Sequence, residues 1–143
     1  MVIFFQNPLA ITLIIPGGKD VLRVGYVSGQ QRAVLYRHAS LFTSASFYEG
    51  FGMPALESMV YGTPVAMSDI PVFHEVAGSA ALYFDQDKSE SIADAWQKIL
   101  SSKELQQKLA DGGHKKAASY NWHTVAASLY NRIIQTLNDK KRV

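Results

Sequence analysis

Between Ala39 and Gly62 the chain passes from a strand-like run, Ala39-Ser40-Leu41-Phe42-Thr43-Ser44-Ala45, through a glycine turn, Glu49-Gly50-Phe51-Gly52-Met53, into a helix that Pro54 can open. Proline suits the first helical turn, where an amide has no partner. Gly62 stops the helix near Tyr61 as a C-terminal glycine does. Strand, glycine turn and helix in that order form the repeating unit of open α/β sheets, and the alternation extends both ways. Upstream, residues 22–27 read as a short strand and 30–38 as a helix with Ala33, Val34, Leu35 and Tyr36 inside. Downstream, residues 63–68 read as a strand, 72–77 as a short helix and 80–84 as a further strand. We expect a doubly wound parallel sheet, with ligands outside the carboxyl ends of its strands.

At 143 residues the chain is about one domain long, and 48% hydrophobic with 18% charged residues fits a globular core. The expectation is one α/β, Rossmann-like domain over residues 1–143, flanked by helices and helical from about residue 89 onward. Ala10-Ile11-Thr12-Leu13-Ile14-Ile15, running into Pro16-Gly17-Gly18, has the continuous apolar, branched character of a parallel strand buried on both faces. Met1 to Phe5 is apolar, but Gln6, Asn7 and Pro8 interrupt it well short of the roughly 20 residues of a membrane span. Neither a signal peptide nor an anchor is expected. A net charge of +2 does not point to nucleic acid, and Lys140-Lys141-Arg142 reads as a solvated tail. The absence of cysteine excludes disulfides, thiolate metal sites and cysteine nucleophiles, and is compatible with a reducing cytoplasm.

The last third reads as three helices. Asp87 with Glu90 resembles a capping box ahead of an apolar stripe of Ile92, Ala95, Trp96, Ile99 and Leu100. Ser101 with Glu104 repeats the signal, with Leu105 and Leu109 packing before Gly112-Gly113. Asn121 can cap a final helix in which Val125, Ala126, Leu129, Tyr130, Ile133, Ile134 and Leu137 recur at core spacing, so Trp96, Trp122 and Tyr130 are assigned to packing.

Two glutamates bracket the glycine turn in Glu49-Gly50-Phe51-Gly52-Met53-Pro54-Ala55-Leu56-Glu57. Gly50 and Gly52 allow close backbone approach, so unpaired amides at the helix start can point at an anion such as phosphate. Carboxylates beside such a site suit neutral hydroxyls, since each accepts several hydrogen bonds and repels phosphate. Phosphate flanked by sugar hydroxyls describes a nucleotide sugar. Glu57 projects well away from the side shared by Ala55, Leu56, Met59 and Val60 at 100° per residue. The bland alternative makes Glu57 a helix-dipole partner and Glu49 an ordinary loop carboxylate. Other constellations are weaker. Asp85-Gln86-Asp87 reads as a strand end and helix cap in place of a metal site, and Gly17-Gly18-Lys19 as a turn lacking phosphate-loop spacing. His38, His74, His114 and His123 are scattered, with His74 and Glu75 near a strand end.

The block EGFGMPALE, with SLFTSAS before it and ESMVYGTPVAMSDIPVFHEVAGSAALYFD after it, resembles the C-terminal, donor-binding domain of group 1 retaining glycosyltransferases of the GT-B fold. The likeness spans roughly residues 22–137, with several blocks in order. It implies that Glu49 and the backbone of Gly50, Phe51, Gly52, Met53 and Pro54 hold the sugar and distal phosphate. Glu49 then positions the sugar or stabilises developing charge, Glu57 holds the ribose hydroxyls, and the backbone around Tyr26 and Val27 faces the base. The implied partner is a UDP or GDP hexose, with no cofactor and no metal, because oriented amides can stabilise the departing diphosphate. The family's diphosphate-gripping Arg and Lys have no counterpart upstream of Ile11, with Lys19 a weak candidate. The family's acceptor-binding N-terminal lobe is not among these residues, so the chain is expected to be catalytically incomplete alone. The resemblance implies a cytoplasmic enzyme of polysaccharide biosynthesis and leaves room for peripheral contact with the inner membrane face in the intact enzyme. A noncatalytic nucleotide- or sugar-binding module, or a remnant of one, is the alternative.

Overall fold

The computed structural model describes residues 2–7, 10–14 and 21–140. Six strands form one sheet in the order β3-β2-β1-β4-β5-β6. In chain order they are β1 (Val2–Asn7), β2 (Ala10–Ile14), β3 (Val21–Gly25), β4 (Leu41–Ser44), β5 (Val65–Ser68) and β6 (Leu82–Phe84). β1, β4, β5 and β6 pair in parallel, whereas β2 pairs antiparallel with both β1 and β3. Among these strands β2 alone is reversed. The run beginning at Ala10 is therefore not the parallel strand its apolar character suggested. Residues 8–9 join β1 to β2 and residues 15–20 join β2 to β3, and a parallel return needs a crossover of about a dozen residues or more. Connection length, not side-chain type, decides the direction. Ile15, Gly17-Gly18-Lys19, Lys141 and Arg142 lie outside the described residues.

Helices cover both faces of the parallel half, as doubly wound sheets require. Side chains alternate along β4 and β5. Phe42, Val65 and Met67 pack with Met59, Phe73 and Val76 in one cluster. Leu41 and Ala66 pack with Phe84, Ala95 and Ile99 in a second. Helices α2 (Met53–Val60) and α3 (Pro71–Ala77) thus lie on one face and α4 (Ser89–Ser101) on the other. Helix α1 (Gly29–His38) adds Tyr36 to the first cluster, and α5 (Lys103–Ala118) reaches both, through Ala117 and Leu109. Every residue of β4 and β5 is buried, the pattern of strands covered on both sides.

Several helix ends differ from the sequence expectation. The Asp87–Glu90 box does not form, and α4 starts after Lys88 without a side-chain cap. Asp85 turns the chain there, accepting from the Asp87 amide at 3.0 Å and pairing with Lys88 Nζ at 2.7 Å. The cap of α5 is Ser102, whose hydroxyl accepts from the Leu105 amide at 3.1 Å; Ser101 ends α4 by donating to the Gln97 carbonyl at 2.6 Å. Helix α5 continues through Gly112-Gly113. Asn121 does cap α6 (Trp122–Lys140), accepting from the His123 amide at 2.8 Å. Trp96 packs in the second cluster and donates to Thr43 Oγ1 at 3.1 Å.

The larger correction concerns α6. Its apolar stripe was expected in the core, yet Trp122 is 74% exposed, Tyr130 65% and Leu129 60%. Periodicity marks the face that can be buried, and nothing else in the described chain covers it. No helix among the described residues is long and apolar enough to cross a membrane.

Candidate functional site

Because β3, β4, β5 and β6 run the same way, their C-terminal ends share one edge of the sheet. From that edge emerge Tyr26 and Val27 before α1, residues 45–52 before α2, and Asp69 before α3. This is where open α/β sheets place ligands.

The turn into α2 depends on Gly52. Its φ of +90° lies in the left-handed region, and a Cβ there would stand 2.7 Å from Phe73 Cε1. Pro54 occupies the first turn, and the Gly52 carbonyl accepts from the amides of Ala55 at 3.0 Å and Leu56 at 3.2 Å. Among the described residues, the amides of Phe51, Gly52 and Met53 donate no backbone hydrogen bond. The start of α2 therefore presents donors. Gly50 is exposed, and a Cβ on it would meet nothing within 4 Å.

Each glutamate is held by side chains. Ser46 Oγ donates to Glu49 Oε1 at 2.9 Å, and the Ser44 and Ser46 hydroxyls lie 3.2 Å apart. Ser68 Oγ donates to the Ser44 carbonyl at 3.3 Å, tying this chain of hydroxyls to β5. Glu57 lies beyond the first turn of α2, which contains no acid, so it is not a partner of the helix dipole. It faces α1. Arg32 Nε stands 3.1 Å from Glu57 Oε2, Arg32 Nη2 donates to Oε1 at 3.3 Å, and the Tyr36 hydroxyl donates to Oε2 at 3.3 Å. Burial, and then the negative charge of Glu57, push the Tyr36 phenol far above its ordinary pKa, so it remains a donor.

Two recesses flank Glu57. A polar one of about 210 Å³ is lined by Arg32, Tyr36, Glu57 and Tyr61. An apolar one of about 500 Å³ is lined by Phe51, Met53, Leu56, Glu57, Tyr120 and Trp122, among others. Phe51 meets the Tyr120 ring edge-on at 5.5 Å, which fixes one wall. Glu49, Tyr26 and Val27 line neither recess. Tyr26 is 80% exposed, and Val27 packs against the first core cluster. The structure thus sets Glu57, Phe51 and Met53 around shared space, with Glu49 at the preceding loop and Tyr26-Val27 at the neighbouring one. His74, which the sequence placed near the edge, bonds Asp69 Oδ1 at 2.6 Å and stacks on Tyr83 with centroids 3.9 Å apart.

Sequence reasoning missed Arg32, Tyr36, Ser44 and Ser46. The only available signal for the first two was their four-residue spacing, which puts an arginine and a tyrosine on one face of α1.

A family model described as "Glycosyl transferases group 1" matches residues 16–116. The chain is 32% identical over 117 residues to O-antigen chain mannosyltransferase B of Escherichia coli, covering 76% of this chain and 28% of that protein. Sucrose-phosphate synthase from Thermosynechococcus elongatus superimposes with a TM-score of 0.72 at 27% identity, covering 81% of this chain and 30% of that one. The C-terminal domain of a group 1 family glycosyl transferase (LpcC) from Francisella tularensis superimposes with a TM-score of 0.60 at 25% identity, covering 67% and 51%.

Proposed function

Because the chain belongs to the group 1 glycosyltransferases, we propose that it is the donor-binding lobe of a retaining enzyme that transfers a hexose from a nucleoside-diphosphate sugar. The acceptor is a glycan or a lipid-linked acceptor. The observation that carries this reading is the turn between the two held glutamates, whose amides donate no backbone bond and which opens beside Glu57. Glu49 positions the sugar, the amides from Gly50 to Met53 hold the distal phosphate, Glu57 takes the ribose hydroxyls, and the backbone at Tyr26-Val27 meets the base. As the nucleoside diphosphate departs, negative charge grows on its oxygens, and pre-aimed amides stabilise that charge without rearranging. The sugar gains oxocarbenium character, which the Glu49 carboxylate favours electrostatically.

A mannosyl donor is favoured by the likeness to a protein named as a mannosyltransferase, which makes GDP-mannose the first ligand to test. The chain spans about 28% of that relative's length, so acceptor binding belongs to structure beyond these residues. The exposed apolar face of α6 is a surface that such a lobe can cover.

Calorimetric titration of the chain with GDP, UDP, GDP-mannose and UDP-glucose tests the reading. Saturable binding of one nucleotide series, weakened about tenfold or more by Glu57→Ala through loss of a charged hydrogen bond, is the expected result. Binding that Glu57→Ala leaves unchanged would remove the site from Glu57.

A further inference from the structure

We propose that Arg32 and Tyr36 are positioning residues for Glu57, fixing its carboxylate in the orientation that reads a ribose hydroxyl; this rests on the nucleotide-sugar reading above. Residues 32 and 36 lie one turn apart on α1 and face α2 together. Arg32 meets both carboxylate oxygens, as an ion-pair contact of Nε with Oε2 at 3.1 Å and a hydrogen bond from Nη2 to Oε1 at 3.3 Å, while the Tyr36 hydroxyl donates to Oε2 at 3.3 Å. A carboxylate offers about four acceptor positions. Hydrogen bonds fill two of these, one on each oxygen, with Arg32 Nε as an ion-pair contact at Oε2, so acceptor positions remain for ribose hydroxyls.

The arrangement is rigid where it needs to be. Tyr36 is 1% exposed, its ring meets Phe42 edge-on at 6.0 Å, and its carbonyl accepts from Thr63 Oγ1 at 2.7 Å. The start of α1 is fixed by a reciprocal cap: Ser28 donates its amide to Gln31 Oε1 at 2.8 Å and accepts from the Gln31 amide at 3.3 Å. The same helix therefore ties the orientation of Glu57 to the loop carrying Val27. Stability does not explain the pair. The side chains of Arg32 and Glu57 are 36% and 30% exposed, and ion pairs that solvent reaches contribute little to folding. Their consequence is the direction of Glu57 beside the polar recess that Gly29, Arg32 and Tyr36 line with it.

The test uses the full chain and four proteins: wild type, Arg32→Gln, Arg32→Lys and Tyr36→Phe. Each is titrated with UDP and GDP and with their 2′-deoxy and 3′-deoxy counterparts. We expect wild type to prefer a ribose form over a deoxy form by about tenfold or more, the size of a hydrogen bond to a charged group. In Arg32→Gln and Tyr36→Phe that ratio collapses toward one while affinity for the deoxy nucleotide is retained, and Arg32→Lys recovers part of it. A merely structural role would lower affinity for both forms and leave the ratio alone. A wild-type ratio in both variants, at unchanged melting temperature, overturns the inference and leaves the donor reading standing. A ratio of one in wild type also overturns it. No nucleotide binding by wild type removes the donor reading and this inference together. Should Tyr36→Phe fail to fold, Arg32→Gln, at a partly exposed position, decides alone.

Discussion

Gly50 and Gly52 stand two residues apart in one turn and answer to different demands. At Gly52 the φ of +90° and the Phe73 ring 2.7 Å from an added Cβ both exclude a side chain. At Gly50 an added methyl meets nothing within 4 Å, so the fold itself does not require glycine there. Gly52→Ala is expected to cost about 1–3 kcal/mol of stability from the left-handed backbone, before the displacement of Phe73 is counted. Gly50→Ala is expected to leave the urea midpoint unchanged and, on the proposed donor reading, to weaken nucleotide binding by adding a methyl to the turn whose amides would meet the phosphate. Equal loss of stability in both variants would show that Gly50 serves folding. At this scale the candidate site was half legible. Glu49, Glu57 and the glycines announced themselves by type and spacing in one short segment. Arg32 and Tyr36 did not, because their partner is distant in sequence: Arg32 and Glu57 are 25 residues apart.

Elements show the same division between what is local and what is not. The strands and helices from β4 to β6 were readable because apolar runs are bounded there by glycine and proline, such as Pro54, Gly62 and Pro71. The direction of β2 was not, since it depends on connection length. Nor were the starts of α4 and α5, where neighbouring residues offered equivalent caps and only the pairing of Asp85 with Lys88 and of Ser102 with Leu105 chose between them. The passage of α5 through Gly112-Gly113 has a packing cause. A Cβ at Gly113 would lie 3.0 Å from Met59 Cγ and 3.3 Å from Met59 Cβ, so glycine lets α5 sit close on α2. At Gly112 the nearest atom is the Ala80 Cβ at 3.4 Å, an ordinary contact. Alanine gains about 1 kcal/mol over glycine in a helix interior, whereas overpacking a filled core costs about 1–3 kcal/mol. Gly112→Ala is therefore expected to raise the urea midpoint and Gly113→Ala to lower it. The opposite order would mean that α5 is free to move off α2.

Across the whole molecule, burial stops at α6. Residues 121–139 are all exposed, including Leu129 at 60% and Ile133 at 50%, while Ile99 of α4 is fully buried. Nucleation of a helix is unfavourable, and in folded proteins tertiary packing of an apolar face normally supplies most of its stability. A hydrophobic period of 3.6 says which face of a helix can be buried, and it says nothing of what buries it. That is why the sequence placed these residues in a core and the fold does not. The chain spans about 28% of the length of the mannosyltransferase it resembles, and among the described residues nothing covers this face. The double substitution Leu129→Gln with Ile133→Gln is expected to change unfolding free energy by no more than about 0.5 kcal/mol, as exposed substitutions do. Ile99→Ala is expected to cost about 2–5 kcal/mol. Both are read from urea melts, with amide hydrogen exchange showing weaker protection along α6 than along α5. A loss of 2 kcal/mol or more in the double variant, on the scale of a buried side chain, would place α6 against the sheet after all and return its stripe to the core the sequence assigned it.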